Sequence, residues 1–149
     1  MQEYRPIQIL LVEDNLDDVT ILRRALDRAQ VPSELHLVRD GEEAVNLLFT
    51  GHDAEGRAAP RPDLVLLDIN TPRLSGLEVL QRIKEDDELC TLPVVMLTVS
   101  ARNEDVTRAY RLGANTYVQK PVEFKQFVRV LEVLGEYWFE VAKLPPKAG

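Results

Sequence analysis

Leu64-Val65-Leu66-Leu67-Asp68-Ile69-Asn70-Thr71-Pro72 is the stretch on which the fold turns. Four apolar residues run without interruption into one aspartate, and a proline closes the segment. A short continuous apolar run bounded by turn signals marks a strand buried on both faces. Strands of that kind belong to parallel sheets covered by helices, and such sheets bind ligands just outside the carboxyl ends of their strands. Asp68 stands at that end. The expectation is that Asp68 is a nucleophile and that the rest of the chain positions it or responds to it.

Similar runs lie on both sides of this stretch. Residues 7–12 are apolar except for Gln8 and end in Glu13-Asp14-Asn15. Residues 93–98 end on Thr98, and residues 115–119 are closed by Lys120-Pro121. Residues 34–38 alternate Leu35 and Leu37 with polar positions, as a strand near a sheet edge does. Between the strands come segments with apolar residues three and four apart, at 16–29, 41–49, 76–85 and 103–112. Asp14, Asn15 and Asp17 open the first helix, where side-chain oxygens cap free N–H groups. Gly113 ends the fourth. That fourth helix carries few apolar residues and is expected to be the least tightly held. Alternating strands and helices predict an α/β, doubly wound (βα)5 flavodoxin-like fold, with a parallel five-stranded sheet of order 2-1-3-4-5 and an extended C-terminal helix. The domain is expected over 6–134 and a helical extension and tail over 135–149. The loop 50–62 is longer than usual in an α/β unit and reads as a tolerated insertion.

The composition excludes several alternatives. A net charge of −7 without a basic stripe argues against direct binding of nucleic acid. One cysteine, Cys90, and two separated histidines, His36 and His52, do not make a zinc site or a disulfide framework. There is no apolar run of bilayer length, and Met1 to Arg5 has no leader-like apolar region, so a cytoplasmic protein is expected.

With strands one and three adjacent, Glu13, Asp14 and Asp68 are expected to converge. Clustered carboxylates with oxygen-only donors call for a hard cation, Mg²⁺. Thr98 and Lys120 end the next two strands at the same edge. A nucleophilic carboxylate, a cation pocket, a hydroxyl donor and a fixed ammonium together suit phosphoryl transfer through an aspartyl phosphate. Singly, each residue also has a structural reading as a cap, a strand end or a loop entry. It is their arrival at one edge that points to chemistry.

These residues resemble the receiver domain of two-component response regulators. The pieces are Val12-Glu13-Asp14-Asn15, Leu66 to Pro72, Gly76, Leu97-Thr98 and Tyr117-Val118-Gln119-Lys120-Pro121. The resemblance implies that Asp68 is the phosphorylation site. It implies Glu13 and Asp14 as the acidic pair, with Mg²⁺ held by Asp14, Asp68 and the main-chain carbonyl of Asn70. Thr98 and Lys120 would contact the phosphoryl group, Tyr117 would be a rotameric switch coupled to Thr98, and the Lys120-Pro121 peptide would be cis. The partner implied is a sensor histidine kinase that presents phosphohistidine. Thr71, Ser75 and Val99 depart from the commonest pattern, and a β-branched Val99 is expected to restrict access to the phosphate.

No helix-turn-helix, P-loop or Gly-x-Gly-x-x-Gly stretch follows, so output through protein contact is expected. Residues 123–144 read as one helix of about 33 Å. Phe127, Leu131, Leu134 and Trp138 form one stripe, and Val130, Val133, Tyr137 and Val141 lie on a second. A homodimer is expected through Val130, Val133, Leu134, Tyr137, Trp138 and Val141. The run Tyr137-Trp138-Phe139-Glu140, the ending Leu144-Pro145-Pro146 and the loop Ala59-Pro60-Arg61-Pro62-Asp63 resemble stand-alone regulators paired with bacterial phytochrome kinases. Two other classes are weighed. Asp68-Ile69-Asn70-Thr71 is similar to the nucleophile motif of haloacid-dehalogenase-type phosphatases, but Asn70 stands where their general acid would be. A flavodoxin-like FMN module would need a Ser-, Thr- and Gly-rich loop where Glu13-Asp14-Asn15 lies.

Overall fold

The computed structural model describes residues 6–141 and 143–146, with side chains throughout except at 139–141. The reading of Met1 to Arg5 as leaderless lies outside the described residues. Five strands, β1 (Ile7–Val12), β2 (Ser33–Val38), β3 (Leu64–Leu67), β4 (Val94–Thr98) and β5 (Thr116–Gln119), form one parallel sheet in the order β2-β1-β3-β4-β5. The helices are α1 (Leu16–Arg28), α2 (Gly41–Thr50), α3 (Gly76–Glu85), α4 (Asn103–Arg111) and α5 (Phe124–Gly135), followed by a π-helical segment, Glu136–Val141.

The apolar runs work because a strand's side chains alternate between faces. Leu10, Val12, Val65, Leu67, Val94 and Met96 point to one side, where they meet Ala44 and Leu47 of α2 and Leu77, Val79, Leu80 and Ile83 of α3. Ile9, Leu11, Leu64, Leu66, Val95 and Leu97 point to the other. There they meet Val19, Leu22, Ala25 and Leu26 of α1 and Phe127 and Leu131 of α5. Every residue of β3 and β4 is buried, which is why neither strand alternates in sequence. As expected from its composition, α4 contributes one buried residue, Ala109, and has no side-chain cap.

Side-chain caps set where three helices begin. Asn15 Oδ1 accepts from the N–H groups of Asp17 (2.9 Å) and Asp18 (3.2 Å). Asp40 Oδ1 accepts from Glu43 N–H at 2.8 Å and Ser75 Oγ from Glu78 N–H at 3.3 Å. The loop between α2 and β3 is ordered as a small hairpin. It is bridged at His52 and Ala58 and held by Asp53, whose Oδ1 accepts from Glu55 and Arg57 N–H groups.

The chain's end departs from the expected single α-helix. The α-helix stops at Gly135, and the next turn is wider, with π geometry to Val141. Trp138 is only 8% exposed and lies in the core on the α1–α5 side, with Leu134 and Leu144 packed against the same cluster. The stripe Phe127, Leu131, Leu134 and Trp138 is therefore one inward face, satisfied within its own chain. Trp138 is not available to a partner, contrary to the expectation. Val133 and Tyr137 are 49% and 50% exposed, and Val130 is half-buried. The side chain of Val141 lies outside the described residues. The Lys120-Pro121 peptide is trans rather than cis, the commoner state for an X–Pro bond.

Candidate functional site

The sheet carries one hydrogen bond past each of three strand ends, and this seats the site residues. Glu13 N–H donates to the Val38 carbonyl at 3.0 Å, Asp68 N–H to the Val12 carbonyl at 3.4 Å, and Lys120 N–H to the Thr98 carbonyl at 2.7 Å. Gly76, the first residue of α3, lies against the Asp68 backbone. A Cβ there would collide with the Asp68 carbonyl oxygen and the Ile69 Cα. Its N–H donates to the Ile69 carbonyl at 2.9 Å. The absence of a side chain at Gly76 thus lets α3 start directly beneath the aspartate.

Lys120 is the centre of the constellation. Its Nζ donates to Glu13 Oε2 at 2.8 Å, Asp68 Oδ2 at 3.0 Å and Asp18 Oδ2 at 3.2 Å. Glu13, Asp68 and Thr98 are all buried. Burial alone would raise the Asp68 carboxyl, but the Lys120 charge and the N–H of Asn70, 3.1 Å from Oδ1, hold it below its ordinary value. Asp68 is thus a buried carboxylate kept ionised. Glu13 goes the other way: burial pushes it up to about 7, only partly offset by Lys120. Burial also works against the Lys120 ammonium, but Glu13 and Asp68 outweigh it and hold the group well above its ordinary value. The Thr98 hydroxyl is fully buried and makes no full hydrogen bond, though it lies near enough to Asp68 to help hold that carboxyl down. Buried hydroxyls are ordinarily paired, so one left over at a site edge is a donor awaiting an acceptor.

The sequence reading expected three carboxylates to converge. Glu13 and Asp68 do meet, but on the ammonium between them, and Asp14 is exposed. Among the described residues no three His, Cys, Asp or Glu side chains stand ready as a metal cluster. The donor set still fits a hard cation. Asp14, Asp68 and the Asn70 main chain supply oxygen only, at two adjacent strand ends, and Mg²⁺ keeps several waters and needs few protein ligands. Tyr117 is half-buried. Its hydroxyl donates to the Ser100 carbonyl at 2.8 Å, and its N–H donates to the Tyr110 hydroxyl at 3.1 Å. Burial raises the Tyr117 phenol above its ordinary value. Val99 is 62% exposed and lines a cleft of about 240 Å³ with Asp18, Ile21, Lys120 and Phe124.

Asp18 was missed in the sequence. The available signal was its register. Asp18 lies four and seven residues before Leu22 and Ala25, on the buried stripe of α1, where a carboxylate needs a cation.

An ionised aspartate, a buried glutamate, a hydroxyl and a lysine gathered at the carboxyl edge of a parallel 2-1-3-4-5 sheet suit phosphoryl transfer. The chain belongs to the response regulator receiver domain family, which matches residues 9–132. It is a signalling protein whose receiver domain accepts a phosphoryl group, and neither the phosphatase nor the FMN alternative is favoured.

Its relatives include phytochrome response regulators. The chain is 36% identical to response regulator Rcp1 of Synechocystis sp. over 94% of each chain. The Mn(2+)-bound form of Rcp1 matches with a TM-score of 0.84, covering 95% of this chain and all of that one. The phosphorylated cyanobacterial phytochrome response regulator RcpA is 39% identical, with a TM-score of 0.87, covering 95% of this chain and all of that one. The probable methanogenesis regulatory protein FilR2 of Methanothrix harundinacea is 38% identical over 96% of this chain and 90% of its own.

Proposed function

We propose that Asp68 is the phosphoacceptor, that its donor is the phosphohistidine of a phytochrome-type sensor histidine kinase, and that the phosphorylated chain signals in the cytoplasm by protein contact. One observation carries this reading: Asp68 is buried, yet ionised by the Lys120 ammonium 3.0 Å away. A carboxylate in that state is a competent nucleophile at neutral pH. A carboxylate oxygen of Asp68 bonds to phosphorus as the bond from phosphorus to the histidine nitrogen breaks. Lys120 meets the charge moving through the phosphoryl oxygens. The unpaired Thr98 hydroxyl turns to donate to one of them. Mg²⁺ bound to Asp14, Asp68 and the Asn70 carbonyl, beside Glu13, would supply further neutralisation of that charge.

The Thr98 movement frees space beside β5. Tyr117 then leaves the Ser100 carbonyl and turns inward, which changes the face of α4, β5 and α5. A phytochrome-type kinase is supported by the likeness to Rcp1 and RcpA along almost the whole chain. Among the described residues no helix is long and apolar enough to cross a membrane, which suits a cytoplasmic partner of the kinase. Homodimerisation is supported by the exposed Val133 and Tyr137, with Val130 beside them.

The test is phosphotransfer from a labelled histidine kinase. The parent chain takes up label in the presence of Mg²⁺, and Asp68→Asn takes up none. Undiminished label on Asp68→Asn would place the acceptor elsewhere.

A further inference from the structure

An ammonium has three N–H donors. All three on Lys120 are spent on carboxylates: Glu13, Asp68 and Asp18. A phosphoryl oxygen arriving on Asp68 therefore finds no free donor, and one of the three bonds must be exchanged for it. The three are not equivalent. The side chains of Glu13 and Asp68 are 5% and 10% exposed, so their bonds to Lys120 lie in a poorly screened setting. Asp18 is 38% exposed and makes the longest of the three contacts. It also stands on the wall of the cleft lined by Ile21, Val99 and Phe124, where water can replace Lys120 as its partner. Half-exposed ion pairs of this kind are the least costly to open.

We propose that Asp18 is a positioning residue for Lys120. It occupies the third Lys120 donor while Asp68 is unmodified and releases it to a phosphoryl oxygen during transfer. When the phosphoryl group leaves, Asp18 takes the donor back. No covalent bond beyond those of the transfer itself changes, and no proton moves, because Lys120 stays an ammonium throughout. Asp18 thus adds to the barrier of phosphorylation by holding the ammonium in its resting place. The inference rests on Asp68 as the acceptor.

The experiment is the rate of Asp68 labelling by phosphoramidate with Mg²⁺, measured over a range of donor concentrations. Asp18→Ala is expected to raise the saturating rate about two- to fivefold, the worth of one half-exposed ion pair, without changing the half-saturating concentration. Asp18→Asn keeps an oxygen acceptor without its charge, and its rate is expected to fall between the two. Asp17→Ala is the control: Asp17 lies in the same helical turn and is exposed, and its loss removes the same charge. Its rate is expected to match the parent's. A rate for Asp18→Ala at or below the parent's overturns the proposal. So does an equal rise in Asp17→Ala, which would show charge acting through space. Absence of any labelling in the parent would instead overturn the reading of Asp68 itself.

Discussion

The cost of function is visible at Thr98. Its hydroxyl is buried with only a weak approach to Asp68 in place of a full hydrogen bond, a condition that costs up to about 1–3 kcal/mol relative to a satisfied group. A core position in β4 selected for stability alone would hold valine, which has the same shape and no polar atom. Thr98→Val is therefore expected to stabilise the unphosphorylated protein by about 1 kcal/mol, read as a higher urea midpoint at constant slope. The same change removes the donor on which the proposed switching depends. The inward turn of Tyr117 on phosphorylation, followed by the environment of its ring in NMR, should be lost. Unchanged stability would mean that a water already satisfies the hydroxyl.

Elements matter here through how closely they approach one another. The start of α3 lies on the backbone of Asp68, and Gly76 is the point of contact. Gly76→Ala adds helix propensity worth up to about 1 kcal/mol. It also places a methyl group against main-chain atoms that cannot move without shifting the end of β3. The net expectation is a loss of about 1–3 kcal/mol in urea unfolding, with slower labelling of Asp68 because the acceptor is displaced.

At the opposite end of the sheet Lys84 of α3 ties the starts of β4 and β5. Its Nζ donates to the carbonyls of Cys90 (3.1 Å) and Leu92 (2.8 Å) and to Asn115 Oδ1 (3.3 Å). Lys84→Met leaves the Cys90 and Leu92 carbonyls without this donor, while Asn115 Oδ1 keeps the Val94 N–H at 2.9 Å, and should cost about 1–3 kcal/mol in the same assay. Burial lowers the Lys84 pKa below its ordinary 10.5. Between the lowered value and 10.5 the unfolded chain binds the extra proton, so stability rises with pH across that window. Lys84→Met should remove that rise, and a pH series of urea midpoints checks it.

Much of this was legible in the chain because buried parallel strands write themselves as apolar runs, and a charged residue ending one is conspicuous. Asp68, Lys120 and Thr98 were readable for that reason, and the sheet order brought them together. Asp18 was legible only in its register on the buried stripe of α1, because its partner, Lys120, lies 102 residues further along the chain and is brought to it by the fold. Otherwise it is one more acidic residue near a helix start. The wider turn after Gly135 was hidden too, since three-to-four spacing of apolar residues does not distinguish an α-helix from one that opens into π geometry.

The molecule as a whole divides its final helix between its own core and solvent, and that division predicts how stability and association separate. Trp138 fills the core beside Leu134 and Leu144, with its ring edge-on to Tyr137 at 5.1 Å between centroids. Its Nε1 is buried without an acceptor. Trp138→Ala should cost about 3–5 kcal/mol in unfolding, as other large core truncations do. Trp138→Phe should cost much less, because it keeps an aromatic ring and removes the unpaired N–H. Val133 and Tyr137 carry the reverse expectation. Both are exposed, so Val133→Glu should leave the stability of the monomer within about 0.5 kcal/mol of the parent, while Tyr137→Ser also loses the edge-on contact with Trp138 and should cost about 0.5–1.5 kcal/mol. If the proposed homodimer forms through this face, the same two changes lower the light-scattering mass to that of one chain, because a charge or a lost ring there leaves the contact unpaired. A dimeric mass that survives both substitutions would move the contact off this face, while the stability expectations for Trp138 would stand unaffected.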